Sequence, residues 1–264
     1  MENVRKSHCQ GFALTMGTDA ERCPFFIVYG ERSRSRLFSF HFFIFSGIME
    51  CMDNENKGKF IVIEGGDGSG KDAQVASAIK ELHSENIIFT REPGGTRVGN
   101  EIRKLLLNEK SFDMKARTEL LLFYASRAQH VEEVIAPALN AGQNVVSNRF
   151  SLSTIAYQIY GRKQPEYLTL CETLDNAVVG NYKPDFTVFL DIDPKHAMEK
   201  IRGRVDENNR FDDEDIEFYE RVREGYLAHL KKIPHKIIDV ERPFEEVQKE
   251  VLATIREFLV QAGG

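Results

Sequence analysis

The first chemical signal in the chain is Gly65-Gly66-Asp67-Gly68-Ser69-Gly70-Lys71, set directly behind the apolar run Phe60-Ile61-Val62-Ile63-Glu64. It fits the phosphate-loop spacing G-x-x-x-x-G-K. Its glycines let the backbone turn tightly and bring N–H groups close to phosphate oxygens. The helix expected to open near Gly70 adds unpaired N–H groups and a partial positive charge at the same point. Lys71 adds a full positive charge for the outer phosphates. A chance glycine-rich turn would need neither the strand before it nor the helix after it. The pattern is that of a nucleoside triphosphate site. Asp72 follows the lysine, where Ser or Thr normally ligates Mg²⁺. A carboxylate is a hard oxygen donor, which makes Asp72 the candidate metal ligand. Without a metal it repels the phosphates.

Further charged residues stand where a parallel sheet would gather them. Arg91-Glu92-Pro93-Gly94-Gly95-Thr96 follows the run Asn86-Ile87-Ile88-Phe89-Thr90, and Asn148-Arg149-Phe150 closes the run from Asn144. Ligands of open α/β sheets sit at the carboxyl ends of the strands, so Lys71, Arg91 and Arg149 are expected in one cleft. A lone arginine at such a place is an ordinary surface charge; three at equivalent ends form a site. Phe123 and Arg127 lie four residues apart, on one face of a helix. A ring and a guanidinium there suit a nucleobase, with a π face to stack and acceptors on its edge, although core and surface roles also explain them singly. The segment from Arg202 through Arg204 and Arg210 to Asp212 joins two helices. It is either a solvated loop or a lid bringing arginines to a migrating phosphoryl group.

The elements that must position these residues alternate in type. Strands are expected at 59–64, 86–90, 144–148, 186–191 and 236–240, short and apolar as for strands buried on both faces. Helices are expected at 70–84, 97–108, 114–140, 151–160, 165–179, 195–203, 213–232 and 243–261. This alternation is the signature of a parallel sheet covered by helices on both faces. The long helix 114–140 carries more apolar surface than one side of a sheet requires. The excess fits a dimer face or extra core equally well.

Composition narrows the possibilities. The chain has 264 residues, is 42% hydrophobic and carries a net charge of −6. That balance does not favour binding a nucleic acid polymer, while small phosphorylated ligands need only local cations. Residues 1 to about 50 differ from the rest, with the run Leu37-Phe38-Ser39-Phe40-His41-Phe42-Phe43-Ile44-Phe45. This run is far short of the roughly 20 apolar residues of a membrane span, and it lies too far in for a signal peptide. Residues 1–51 are read as an extension that is disordered or not translated, with translation starting at Met49 or Met52. Cys9, Cys23, Cys51 and Cys171 show neither zinc spacing nor a disulfide framework, which suits a reducing cytoplasm.

From about Lys59 to the carboxyl end the sequence resembles the thymidylate kinases. The motifs are Glu64 to Lys71, Thr90 to Thr96, Leu122-Phe123-Tyr124-Ala125-Ser126-Arg127-Ala128-Gln129-His130, Asn148-Arg149-Phe150 with Ser153-Thr154-Ile155-Ala156-Tyr157-Gln158, and Arg210-Phe211-Asp212 with Phe218 to Leu227. The resemblance implies a three-layer P-loop NTPase fold with a parallel sheet of about five strands over 52–264. It implies phosphorylation of dTMP to dTDP by ATP with Mg²⁺, in a cytoplasmic homodimer. Gly65, Gly66, Asp67, Gly68, Ser69, Gly70, Lys71 and Asp72 would hold the ATP phosphates and metal. Asp67 would also accept from the sugar 3′-hydroxyl, Phe123 would stack on thymine, and Arg127 would bond its edge. Arg149, with Arg91 nearby, would hold the acceptor phosphate, and Thr154, Tyr157 and Gln158 would line the base and sugar pocket. Because Gly68 stands where some members carry a loop arginine, Arg202, Arg204 or Arg210 would supply the transition-state charge. Two departures stand out: Asp72-Ala73 replaces the usual hydroxyl pair, and Asn148 replaces the usual Asp. One account is an exchange in which the carboxylate absent at 148 reappears at 72. The alternatives are a related nucleotide kinase with another acceptor, or a nucleotide-binding protein in which Asp72 has abolished phosphotransfer.

Overall fold

The expected apolar runs pair into one five-stranded, wholly parallel sheet of order β2-β3-β1-β4-β5. The strands are β1 (Phe60–Gly65), β2 (Ile87–Arg91), β3 (Asn144–Asn148), β4 (Phe186–Asp191) and β5 (His235–Asp239). This structure is a computed structural model that describes residues 57–83, 85–108, 113–203, 211 and 214–261. The extension 1–51 and the loop arginines Arg204 and Arg210 lie outside the described residues. Among the described residues, no helix is long and apolar enough to cross a membrane.

Burial on both faces holds for β1, which is buried throughout, and for the middles of β3 and β4. The expectation fails for β2 and β5, whose residues are mostly half-buried or exposed. They are the edge strands, with a neighbour on one side only.

Helices join the strands: α1 (Lys71–Glu81), α2 (Arg97–Leu107), α3 (Ala116–His130), α4 (Ala136–Asn140), α5 (Ser151–Thr154), α6 (Leu168–Val178), α7 (Pro194–Arg202), α8 (Ile216–Leu230) and α9 (Phe244–Gln261). The helix expected over 114–140 is α3 and α4 with a π-helical stretch, Val131–Ile135, between them. Pro137 explains the wider turn: it has no N–H to give the Glu133 carbonyl, and its ring crowds that group. The helix expected over 151–160 is α5 continued by a second π-helical stretch, Ile155–Gly161. Side chains cap α2, α7 and α8, where Thr96, Asp193 and Asp215 accept from Gly99, Lys195 and Phe218 N–H.

Strand alternation sorts the core into layers. Ile61 and Ile63 face one side, packing with Val75, Ala78 and Leu82 of α1 and its end, and with Val247, Val251 and Ile255 of α9. Phe60 and Val62 face the other, against Val131, Ile135, Leu139 and Phe150. A third cluster seats Phe189 with Phe218, Val222 and Tyr226 of α8 and Tyr157 of the second π-helical stretch. Each such side chain contributes about 1.5–3 kcal/mol by leaving water.

The approach of α8 to the second π-helical stretch depends on Gly225. A Cβ there would stand 2.8 Å from Tyr160 Cγ and 3.0 Å from Ala156 Cα. Gly225→Val is therefore expected to lose about 2–3 kcal/mol of stability through overpacking, read as a lower urea midpoint. An unchanged midpoint would show that α8 can move away without cost.

Candidate active site

The phosphate loop leaves β1 and enters α1 as its sequence dictates. Gly70 adopts the left-handed conformation (φ 74°) at the start of α1, and no side chain caps that end. The first N–H groups of α1 are therefore open to an anion. Ser69 adds a buried hydroxyl with no hydrogen-bond partner. Gly65 lets the Leu190 carbonyl oxygen come within 2.9 Å of where a Cβ would stand. Gly68 has φ +81°, and a Cβ there would lie 2.6 Å from the Ala197 carbonyl oxygen of α7. Lys71 is buried. Burial first, then Arg149, lowers its pKa to about 8 against the pull of Asp72, Asp67 and Glu64.

Arg149 ties the loop to the other elements. Its backbone is left-handed (φ 70°), held by its N–H on the Ile63 carbonyl (2.9 Å) and by the Ser147 hydroxyl donating to its own carbonyl (2.8 Å). From that position Nη1 donates to the Gly65 carbonyl (3.0 Å), the Ser153 hydroxyl (3.1 Å) and the Tyr226 hydroxyl (3.1 Å). Nη2 pairs with Asp67 Oδ1 at 2.6 Å and contacts the Tyr157 hydroxyl at 3.2 Å. Tyr157 donates in turn to Asp67 Oδ2 (2.9 Å). Behind this group lies Glu64, fully buried, whose pKa burial raises. It accepts from Phe150 N (2.9 Å), Ser153 N (3.2 Å), Ser153 Oγ (2.6 Å) and Tyr226 (3.2 Å).

A second buried charge group lies across the cleft. Arg127, 1% exposed, pairs through Nε with Glu92 Oε2 at 2.8 Å and donates from Nη2 to the Thr154 hydroxyl at 2.8 Å. Among the described residues its Nη1 has no partner. The guanidinium does not stack on Phe123; it lies over the rings of Tyr124 and Phe150, at 4.8 and 5.1 Å. Phe123 lines the same cleft and leaves a ring available to a ligand. Gln158 is held by Glu119, donating to its Oε1 at 2.8 Å.

Asp72 and Asn148 meet. Asn148 Nδ2 donates to Asp72 Oδ1 at 2.6 Å, and Asn148 Oδ1 is buried without a partner. Lys71, at 3.7 Å, is the main reason the exposed Asp72 carboxyl is held down at about 2. The amide turns its nitrogen toward Asp72, so the exposed Asp72 carboxylate is the hard oxygen donor that fits Mg²⁺ here. No group of three His, Cys, Asp or Glu gathers as metal ligands among the described residues. A cation here would have to complete its shell with water and substrate oxygens.

One cleft of about 840 Å³, open to solvent, therefore brings together Asp67, Lys71, Asp72, Arg91, Phe123, Arg127, Arg149, Thr154, Tyr157 and Gln158, all marked in the sequence. The remaining loop residues lie beside it. The sequence reading missed Glu92 as the partner of Arg127, and Ser153 and Tyr226 as partners of Arg149. It also missed Arg103, which lines the cleft, donates to the Pro93 carbonyl at 3.1 Å, and has its pKa lowered to about 10 by burial and then by Arg91. None of these has a telling neighbour along the chain; only folding supplies the partner.

The thymidylate kinase family model matches residues 63–251. A thymidylate kinase of Legionella pneumophila (strain Corby) is 43% identical over 208 residues, covering 76% of this chain and 96% of its own length. One of Maridesulfovibrio salexigens is 43% identical over 208 residues, covering 75% and 95%. The crystal structure of thymidylate kinase from Ehrlichia chaffeensis aligns with a TM-score of 0.60 at 32% identity, covering 76% of this chain and 99% of that one. With a cleft of this build, and with that match over most of its length, the chain belongs to the thymidylate kinase family.

Proposed function

We propose that the residues of the cleft divide between them the work of this family's reaction, phosphorylation of dTMP to dTDP by ATP. The observation that carries the acceptor side is Arg127 Nη1, a buried donor with no partner in the cleft wall. The 4-carbonyl of thymine accepts from it, whereas cytosine presents an amino group there. Phe123 stacks on the base, while Thr154, Tyr157 and Gln158 bound the base and sugar. Asp67 accepts from the 3′-hydroxyl. Arg149, Arg91 and Arg103 hold the acceptor phosphate.

On the donor side, the loop N–H groups, the Ser69 hydroxyl and Lys71 hold the ATP phosphates in line with the acceptor oxygen. The acceptor phosphate attacks the γ-phosphorus, and the bond to ADP breaks without a covalent enzyme intermediate. Asp72 would hold Mg²⁺, which when bound neutralises charge between the phosphates. Gly68 has no room for a side chain while α7 stays in place. The transition-state cation therefore falls to Arg202, Arg204 or Arg210. Val98, Leu105 and Leu121, exposed along α2 and α3, form the face of a homodimer. The buried free thiol of Cys171 suits a cytoplasmic setting.

Two experiments test this division. Arg127→Lys keeps the charge on Glu92 but loses the fork, and is expected to raise KM for dTMP about thirty-fold while KM for ATP holds, in a coupled ADP-release assay. An unaltered KM for dTMP would remove the base-edge role. Asp72→Ser is expected to lower kcat about a hundred-fold or more and weaken Mn²⁺ binding in the ATP complex. Adding Asn148→Asp to it restores both, by returning the carboxylate from the other side. If the double variant is no better than Asp72→Ser, the two positions do not exchange.

A further inference from the structure

His130 closes the family motif that begins at Leu122, yet the reaction assigns it nothing. It is fully buried, and its ring bridges Glu92, which lines the nucleotide cleft, and Thr90. Nδ1 lies 2.9 Å from Glu92 Oε1, and Nε2 lies 2.6 Å from the Thr90 hydroxyl. Gly95, at φ +79°, passes so close that a Cβ would stand 2.7 Å from His130 Cδ2 and Nε2. His130 does not line the cleft; Glu92 and Arg127 do.

Glu92 divides its two oxygens. Oε2 takes Arg127 Nε at 2.8 Å, and Oε1 takes His130. An ion-paired carboxylate only accepts, so Nδ1 carries a proton toward it. An arginine fork readily binds both oxygens of one carboxylate. Released by His130, Oε1 would turn onto the guanidinium and compete with Thr154 for Nη2. The fork would then rotate, and the unpartnered Nη1 would no longer point where a base edge can meet it.

We propose that His130 is a positioning residue for base recognition. By holding Glu92 Oε1, it keeps the Glu92–Arg127 pair one-sided and leaves Arg127 Nη1 free for the 4-carbonyl of the acceptor base. This rests on the base-edge role of Arg127. The result sets discrimination between a base with a carbonyl at position 4 and one with an amino group there.

The test uses the full chain and steady-state kinetics with dTMP and dCMP. His130→Leu removes both contacts and is expected to raise KM for dTMP about tenfold, reduce the dTMP:dCMP preference by a similar factor, and leave KM for ATP unchanged. His130→Asn places an amide N–H near Nδ1 and recovers most of the loss. His130→Gln reaches toward Thr90 instead and does not. Equal rescue by Asn and Gln, or an unchanged preference in His130→Leu, would overturn the proposal. If His130→Leu does not fold, Thr90→Val frees the ring from its far side. It is expected to raise KM for dTMP about threefold, and no change in KM or preference would again overturn it. Arg127→Lys run in parallel separates the outcomes: if it too leaves the preference unaltered, the base-edge role has failed, and if it alone abolishes the preference, only the positioning role has.

Discussion

The guanidinium of Arg149 gathers the Gly65 carbonyl, the Asp67 carboxylate and the hydroxyls of Ser153, Tyr157 and Tyr226, so one side chain fixes the phosphate loop against α5 and α8. Its left-handed backbone is part of the device, because it turns the side chain from the end of β3 back over the loop. A non-glycine residue held at such a φ costs roughly 1–3 kcal/mol, which the surrounding hydrogen bonds must outweigh. The cation also answers for Glu64, a carboxylate in full burial behind the loop. Without it, Glu64 would face an uncompensated charge in a dry place, a loss that commonly costs about 3–5 kcal/mol.

The two sides of the cleft solve different problems by different means. The phosphate loop offers backbone N–H groups, which its fold fixes and which cost no side-chain entropy when an anion meets them. Across the cleft stand arginines already restrained by carboxylates and carbonyls. Arg103 is held by the Pro93 carbonyl and Arg127 by Glu92, so each meets its ligand partly ordered. The carboxylates are therefore not idle counter-charges. They set the direction in which the remaining N–H groups point.

Much of this was legible in the sequence because it depends on local pattern. The strand, glycine loop and helix from Phe60 to Glu81 form one continuous signal, and every expected strand lies within a residue of its place. Edge exposure of β2 and β5 was not legible, since strand order is a property of the whole chain. The π-helical stretches were not either; only Pro137 hinted at one of them. The charge pairs were hidden for the same reason. Arg127 and Glu92 lie thirty-five residues apart, and Arg149 and Asp67 lie eighty-two apart. Nothing in the chain between them marks the partnership.

The departures at 72 and 148 show how strand order changes the meaning of a motif. Read along the chain, one position gains a carboxylate and the other, seventy-six positions on, loses one. The order β2-β3-β1 sets β3 directly beside β1, so the end of β3 faces the first turn of the helix that β1 feeds. The two side chains then meet at 2.6 Å. The amide donates to the carboxylate, and its own oxygen is left buried without a partner among the described residues. The place of Asp72 in the phosphate loop is therefore set by the neighbouring strand as well as by the linear pattern.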